Sequence, residues 1–304
     1  MRIRTSYAAL YVCLLAVPVA DAEPPFGYPG EDMSRGNGPH TEYGESVAHG
    51  DGGFTPYGTV IAGVPRSIGI RFPASTLDGQ PTAPSDGAWD VVDENGDVVW
   101  YCCGHERTLE VTDNLLEPTL FEHTVVNWNP HGHAPPGVFD TPHYDFHFYL
   151  VDAAARASIE APVAADMCVV AEGQPPVPLD CEDYARVTAP LPLDQRPPDY
   201  LRVGAVEPGM GDHMLDARGP PFSGNPFDHT FIFGAQDGNL SFFEPMITVA
   251  YLQSKPNACF PIRLPDALPE AAWAPSQYCI RYQRGRDEYT VSLESFVYLS
   301  ESSE

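Results

Sequence analysis

Proline and glycine interrupt this chain so often that no long helix can be threaded through most of it: 33 prolines and 26 glycines are spread over 304 residues. Proline removes a backbone donor and clashes with the preceding turn, while glycine loses more chain entropy than any other residue in a regular element. Short runs survive between the breakers, from Tyr57 to Phe72, Asp90 to Tyr101 around Glu94-Asn95-Gly96-Asp97, Glu122 to Asn127 and His143 to Val151. The series continues with Thr230 to Phe233, Leu240 to Phe243, Ile247 to Leu252 and Tyr289 to Tyr298. Apolar or alternating runs of this length, bounded by turn residues, read as strands. Asp237-Gly238-Asn239 between two of them is a hairpin signal. Helices are expected only at Ala153 to Glu160 and Leu268 to Trp273. The fold is therefore predicted to be mostly β, a sandwich or a barrel, with long Pro/Gly-rich loops and one or two short helices, in a single large β domain over 51–304.

The first residues read Met-Arg-Ile-Arg, then an apolar run from Tyr7 to Val19, then Ala20-Asp21-Ala22. Charged, apolar and small-residue parts in that order predict a secretory signal over 1–22, with cleavage after Ala22. The apolar run is shorter than the ~20 residues of a membrane span. Residues 23–50 are rich in Gly, Pro and charge without periodicity, so they read as a flexible lead-in in which His40 and His49 have no special role. The mature chain is expected to be secreted or periplasmic. Losing Arg2, Arg4 and Asp21 takes the net charge from -26 to -27. A surface this acidic repels nucleic acid and anionic membranes, so neither is an expected partner. A small-molecule or extracellular substrate is expected instead, and a homo-oligomer is left open.

Of seven cysteines, Cys13 leaves with the signal. An even set in an oxidising compartment favours disulfides, and proximity pairs Cys168 with Cys181 and Cys259 with Cys279. Cys102 and Cys103 remain over; with His105 they offer an alternative soft-metal site.

The densest chemistry lies in Asn127 to Tyr149, which holds four of the ten histidines. Strand alternation in Pro142-His143-Tyr144-Asp145-Phe146-His147-Phe148-Tyr149 puts His143, Asp145 and His147 on one face and aromatics on the other. His131-Gly132-His133 precedes them on a proline-stiffened loop that can return a ligand to the same strand end. Further on, Pro208-Gly209-Met210-Gly211-Asp212-His213 presents a histidine after a tight turn. His229 and Glu244 flank the Asp237-Gly238 hairpin, where they are expected as cross-strand neighbours. Imidazoles with a carboxylate make an open N/O site of the kind used by catalytic zinc or non-haem iron. His105 and His123 are weaker candidates. No Gly-x-Ser-x-Gly elbow, phosphate-binding glycine loop with lysine, His-Glu-x-x-His helix or calcium loop is present.

The blocks Asn129 to Gly137, Pro142 to Phe148, Pro208 to His213 and Glu244 to Thr248, with Ser67 to Pro73 and Asp237-Gly238, resemble a family of exported bacterial proteins of unassigned function. That resemblance covers most of the mature chain and puts His133, His143, Asp145, His147, His213 and Glu244 at motif positions; Ala134 stands where the family commonly has an acidic residue. A looser similarity, of His131-Gly132-His133 and Pro208 to His213, is to the metal-binding motifs of cupin barrels.

The sequence thus predicts a secreted transition-metal-binding protein, a metal-dependent hydrolase or oxidoreductase using Zn, Cu or Fe. The metal-ligating set is His133, His143, His147 and His213, with His131 and His229; Glu244 and Asp145 are the catalytic candidates, Glu244 as ligand or general base and Asp145 orienting a ligand. The rivals are a non-catalytic copper or zinc store, which Met210, Met214 and Met246 would serve, and a structural assembly protein.

Overall fold

The computed structural model describes residues 38–110, 118–135, 137–159 and 181–303. The expected signal at 1–22, the expected lead-in up to residue 37, Glu160 and the Cys168 half of the expected Cys168–Cys181 bridge lie outside the described residues.

Backbone pairing gathers the strands into two main sheets. One has eight strands in the order β1 (Pro39–Tyr43), β3 (Gly52–Ile61), β4 (Val64–Pro73), β17 (Glu288–Glu301), β16 (Ala272–Gln283) and β14 (Asn257–Pro261), with β2 (Val47–His49) on β3 and β15 (Ala267–Leu268) on β17. The other has seven, β10 (Tyr200–Glu207), β11 (Gly211–Asp216), β12 (His229–Gln236), β13 (Asn239–Thr248), β9 (His143–Tyr149), β8 (His123–Asn129) and β7 (His105–Leu109). A ribbon of β5 (Val91–Val92) and β6 (Val98–Trp100) stands apart. The tight hairpins carry their turn chemistry in the sequence: Asp237 and Gly238 join β12 to β13 at φ 52° and 76°. Two consecutive left-handed residues make the turn whose twist matches paired strands.

The main core lies between the two sheets. Phe54 and Phe72 of the eight-stranded sheet meet Phe146 of β9 with ring centroids 6.3 and 6.1 Å apart. Phe231, Phe233 and Phe243 extend this layer under Ile280, Val291 and Leu293. Among the described residues no sheet closes on itself, so the fold is a sandwich, and the barrel and cupin-like alternatives fall away. No helix among the described residues is long and apolar enough to cross a membrane.

Helix α1 (Ala153–Ala157) falls where the first helix is expected, capped by Asp152 Oδ1, which accepts the Ala155 N–H at 2.7 Å. Three local readings are corrected. Leu268 to Trp273 is not helical; both ends of that stretch pair with the long β17. The run Ile247 to Leu252 leaves the strand at Thr248, whose hydroxyl accepts the Tyr251 N–H and caps helix α3 (Val249–Gln253), after α2 (Cys181–Val187). Within the supposed lead-in, residues 39–43 and 47–49 form β1 and β2, and His49 is buried against Phe54 with ring centroids 5.2 Å apart. The Cys259–Cys279 bridge forms between directly opposed positions of β14 and β16.

Burial has a cost in acid. Desolvation presses His49, His123 and His229 down to about 4. A histidine depressed in the folded state takes up its proton more readily when unfolded, so stability is lost as pH falls from about 6.5 towards 4. We expect the thermal midpoint of chelator-treated protein to drop across that window, as stability falls by on the order of 1 kcal/mol per histidine once solvent screening is allowed for. A midpoint that stays level between pH 6.5 and 4 would contradict this burial.

Candidate metal centre

Every residue of β8 and β9 is buried. Tyr144, Phe146 and Phe148 point into the inter-sheet core, which sends His143, Asp145 and His147 to the outer face of the seven-stranded sheet. That outer face is not solvated. A second apolar cluster, with Phe139, Met210, Leu215, Ile232, Phe242 and Met246, lies over it.

Register brings the partners alongside. On β13, Phe242 faces Tyr149 and Met246 faces Asp145, which sets Glu244 beside His147. On the other flank Asn129 faces His143 and Asn127 faces Asp145. His213 of β11 faces Gly234 of β12, and Gly234 faces Phe242. A Cβ on Gly234 would lie 2.0 Å from the Phe242 ring, so only glycine lets that ring pack against His147 and His213, at 5.0 and 5.1 Å between centroids.

The result is two triads. In the first, Asp145 Oδ1 lies 3.2 Å from His143 Nε2 and Asp145 Oδ2 lies 3.5 Å from His133 Nε2, while Asn129 Nδ2 donates to Oδ2 at 2.7 Å. In the second, Glu244 Oε2 lies 3.5 Å from His147 Nε2 and 3.9 Å from His213 Nε2. Each triad keeps its ligand atoms within 4.8 Å of one another. Backbone carbonyls fix the ring orientations. Nδ1 of His133 faces Ala134 O at 2.8 Å, Nδ1 of His143 faces Thr141 O at 2.6 Å, and Nδ1 of His213 faces Gly211 O at 3.0 Å. In neutral His213 the carbonyl neighbour requires the proton on Nδ1, which leaves Nε2 with a lone pair on the side of Glu244. Despite these short separations, His143 Nε2, Asp145 Oδ1, both nitrogens of His147 and Glu244 Oε2 make no hydrogen bond. Buried polar atoms left in that state cost ~1–3 kcal/mol each unless a cation or proton lies between them.

The triads differ in charge. Burial opposes ionisation of Asp145, yet His143 and His133 outweigh it and hold the carboxyl well below its usual range. Burial likewise opposes protonation of His133, and Asp145 prevails, lifting it to about 8. The first triad is thus an ion pair at neutral pH. In the second, burial drives His147 well below the usual histidine value and His213 down to about 4. Burial, then the charges of Asp145 and Glu207, hold Glu244 well above the usual carboxyl value. The second triad is neutral throughout and lacks a cation.

Both triads open on one cavity of about 260 Å³, whose wall includes His133, Asp145, His213 and Glu244 among apolar side chains such as Phe139 and Ile232. His143 and His147 lie behind that wall, their side chains fully buried.

Six of the expected site residues therefore converge: His133, His143, Asp145, His147, His213 and Glu244. Of the expected ligands, His133 and His143 fall in the triad centred on Asp145, and His147 and His213 in the triad with Glu244. His131 is set apart, exposed, with Nε2 3.0 Å from Thr82 O. His229 is on the wrong face. It pairs with Ile247 whereas Glu244 pairs with Ile232. The three-residue offset from 244 to 247 is odd, so the two side chains point to opposite sides of the sheet. His229 instead meets Tyr278 Oη at 2.8 Å in the inter-sheet layer. Met214 is also in that layer while Met210 and Met246 are in the outer cluster, so the three methionines do not gather. His105 bonds Ala83 O at 2.8 Å, away from Cys102 and Cys103. Sequence reasoning missed Glu207, which lines the cavity and is pushed up to about 7 by burial. Its signal was its place at the head of the Pro208–His213 turn.

No protein-family model, no curated protein and no solved structure matches this chain.

A carboxyl held neutral in the folded state binds its proton less tightly once unfolded, so it subtracts stability as pH rises above its ordinary value. Glu244→Gln is therefore expected to raise the thermal midpoint of chelator-treated protein at pH 7 and to leave it unchanged at pH 4. A lower midpoint at pH 7 would show that the carboxyl is not held neutral.

Proposed function

We propose that this chain is an exported metal-dependent enzyme that holds a divalent transition ion, zinc foremost among Zn, Cu and Fe, on His147 Nε2, His213 Nε2 and Glu244 Oε2. Its reaction is hydrolysis of a small-molecule or extracellular substrate bound in the adjoining cavity. One observation carries the reading: Nε2 of two imidazoles and a carboxyl oxygen converge beside a cavity, and the His147 and Glu244 atoms among them are buried without a hydrogen bond. Two histidines and one carboxylate are the donor set of open catalytic zinc and non-haem iron sites. A storage site would close the coordination with a fourth protein ligand, whereas here the free side is the cavity. The resemblance to exported proteins supports the same set, because its motif histidines and Glu244 are those that converge.

A divalent ion on these three atoms supplies Lewis acidity and acidifies water. The chain's own residues do the rest. His133, at the cavity wall and protonated at neutral pH, donates a proton to a leaving group, and Asp145 steadies its charged form. His143 and Asn129 hold Asp145 in place from the buried side. The apolar wall of Phe139, Met210, Leu215 and Ile232 excludes water and selects a substrate that is largely uncharged. Glu244 gives up its proton when the ion binds, as metal ligands must.

Elemental analysis of protein purified without a histidine tag is expected to find about one ion per chain and close to none in His147→Ala/His213→Ala, following the three-ligand rule for open sites. His133→Gln is expected to keep the ion. Calorimetric titration of the metal-free protein near pH 7 in buffers of different ionisation enthalpy is expected to show proton release. Equal metal content in the wild type and the double variant would end the proposal.

A further inference from the structure

Cys102 and Cys103 are bonded to each other and held from several sides. The Cys102 N–H donates to Asp90 Oδ1 at 3.0 Å and the Cys103 carbonyl accepts from Asn127 Nδ2 at 2.8 Å. Gly104 follows at φ 64°, where a Cβ would lie 2.2 Å from Trp128 O, so the backbone passes too close to β8 for any other residue. This anchoring sets both sulfurs against the turn between β10 and β11. Cys102 Sγ lies 3.3 Å from Glu207 Oε2 and Cys103 Sγ lies 3.7 Å from Pro208 O. The two sulfurs and a Glu207 oxygen all lie within 4.8 Å of one another. Among the described residues no arginine or lysine pairs with Glu207. Cys103 and Glu207 both reach the cavity, so a solute has access.

The other described bridge has a carboxylate too, but differs in kind. Arg281 Nη2 stands 2.9 Å from Cys259 Sγ and the same guanidinium pairs with Glu294, so a cation already fills that place. At Cys102–Cys103 no guanidinium or ammonium stands there among the described residues; Glu207 accepts a hydrogen bond from the Trp100 side chain instead.

We propose that Cys102 and Cys103, once reduced, form with Glu207 a second metal site at the cavity wall, one that takes a thiophilic divalent cation. It goes beyond the His147, His213 and Glu244 centre and does not depend on it. The reductant is a dithiol of the exported compartment. It hands two electrons and two protons to the disulfide, leaving as its own cyclic disulfide while Cys102 and Cys103 become thiols. The cation then displaces both protons, and two thiolates with one carboxylate bind it through soft and hard donors together. The oxidised pair has no thiolate to offer, so the redox state decides whether the site exists.

The test uses the intact protein with Cd²⁺ as the probe. Wild-type protein is treated with a dithiol, freed of it without air, and titrated beside untreated protein. The reduced form is expected to take up one more equivalent of Cd²⁺, with thiolate-to-cadmium absorption in the ultraviolet that imidazole and carboxylate ligands do not give. The extra equivalent is expected to vanish in Cys102→Ser/Cys103→Ser, to weaken at least tenfold in Glu207→Gln, and to persist in His147→Ala/His213→Ala, which separates this site from the first. Equal uptake by reduced and untreated protein would overturn the proposal. So would an extra equivalent that survives the double serine variant, or a pair that stays oxidised while the protein remains folded.

Discussion

Everything at the candidate centre follows from β9 being covered on both faces. Its aromatic side is committed to the inter-sheet core by Phe54, Phe72 and their neighbours. The reverse side must then face outward, and Phe139, Phe242 and Met246 cover it. A His-Asp-His row that would be unremarkable in water is thereby removed from it. Desolvation of ionisable groups becomes the dominant energy, and each must find an opposite charge, a proton or an ion. Asp145 finds His133 and His143. Glu244, two positions from Met246 on the neighbouring strand, finds only neutral imidazoles. Two carboxyls close together in one sheet thus end in opposite protonation states, because one has a cation beside it and the other has none.

Much of the fold was legible in the sequence because its signals are local. Breakers exclude helices, alternation marks strands, and Asp237-Gly238 specifies a turn that needs no tertiary help. The failures occur where local signals are silent. Apolar runs such as Ile247 to Leu252 fit a strand or a helix equally, and the Thr248 cap decides. The long β16 escaped notice because Pro275, Gln277 and Arg281 blur its alternation, although β17 pairs with it along most of its length. His49 looked like linker because nothing in its neighbourhood reveals that Phe54 and Gln80 enclose it.

The site divides along the same line. That His143, Asp145 and His147 share a face follows from period two. Which carboxyl each histidine would meet does not. Counting back from Asp237-Gly238 placed His229 near Glu244, but a bulge at Gly234/Ala235 and the parity of the register set them on opposite faces. His105 was grouped with Cys102 and Cys103 by sequence distance, while Glu207, over a hundred residues on, is the group that arrives there. Non-local pairing of this sort leaves no trace in one sequence.

The irregularity in β10 has a consequence for the free molecule. Between Arg202 and Ala205 the pairing with β11 shifts, Gly204 takes φ 69°, and its carbonyl accepts from Tyr184 Oη at 3.0 Å. Among the described residues β10 is also the outermost strand of its sheet, and it exposes Leu201 and Val203. A straight apolar border would template the addition of another chain, ending in aggregates. The kink interrupts that template midway, so the strand bordering the cavity offers incoming polypeptide two short, mismatched stubs.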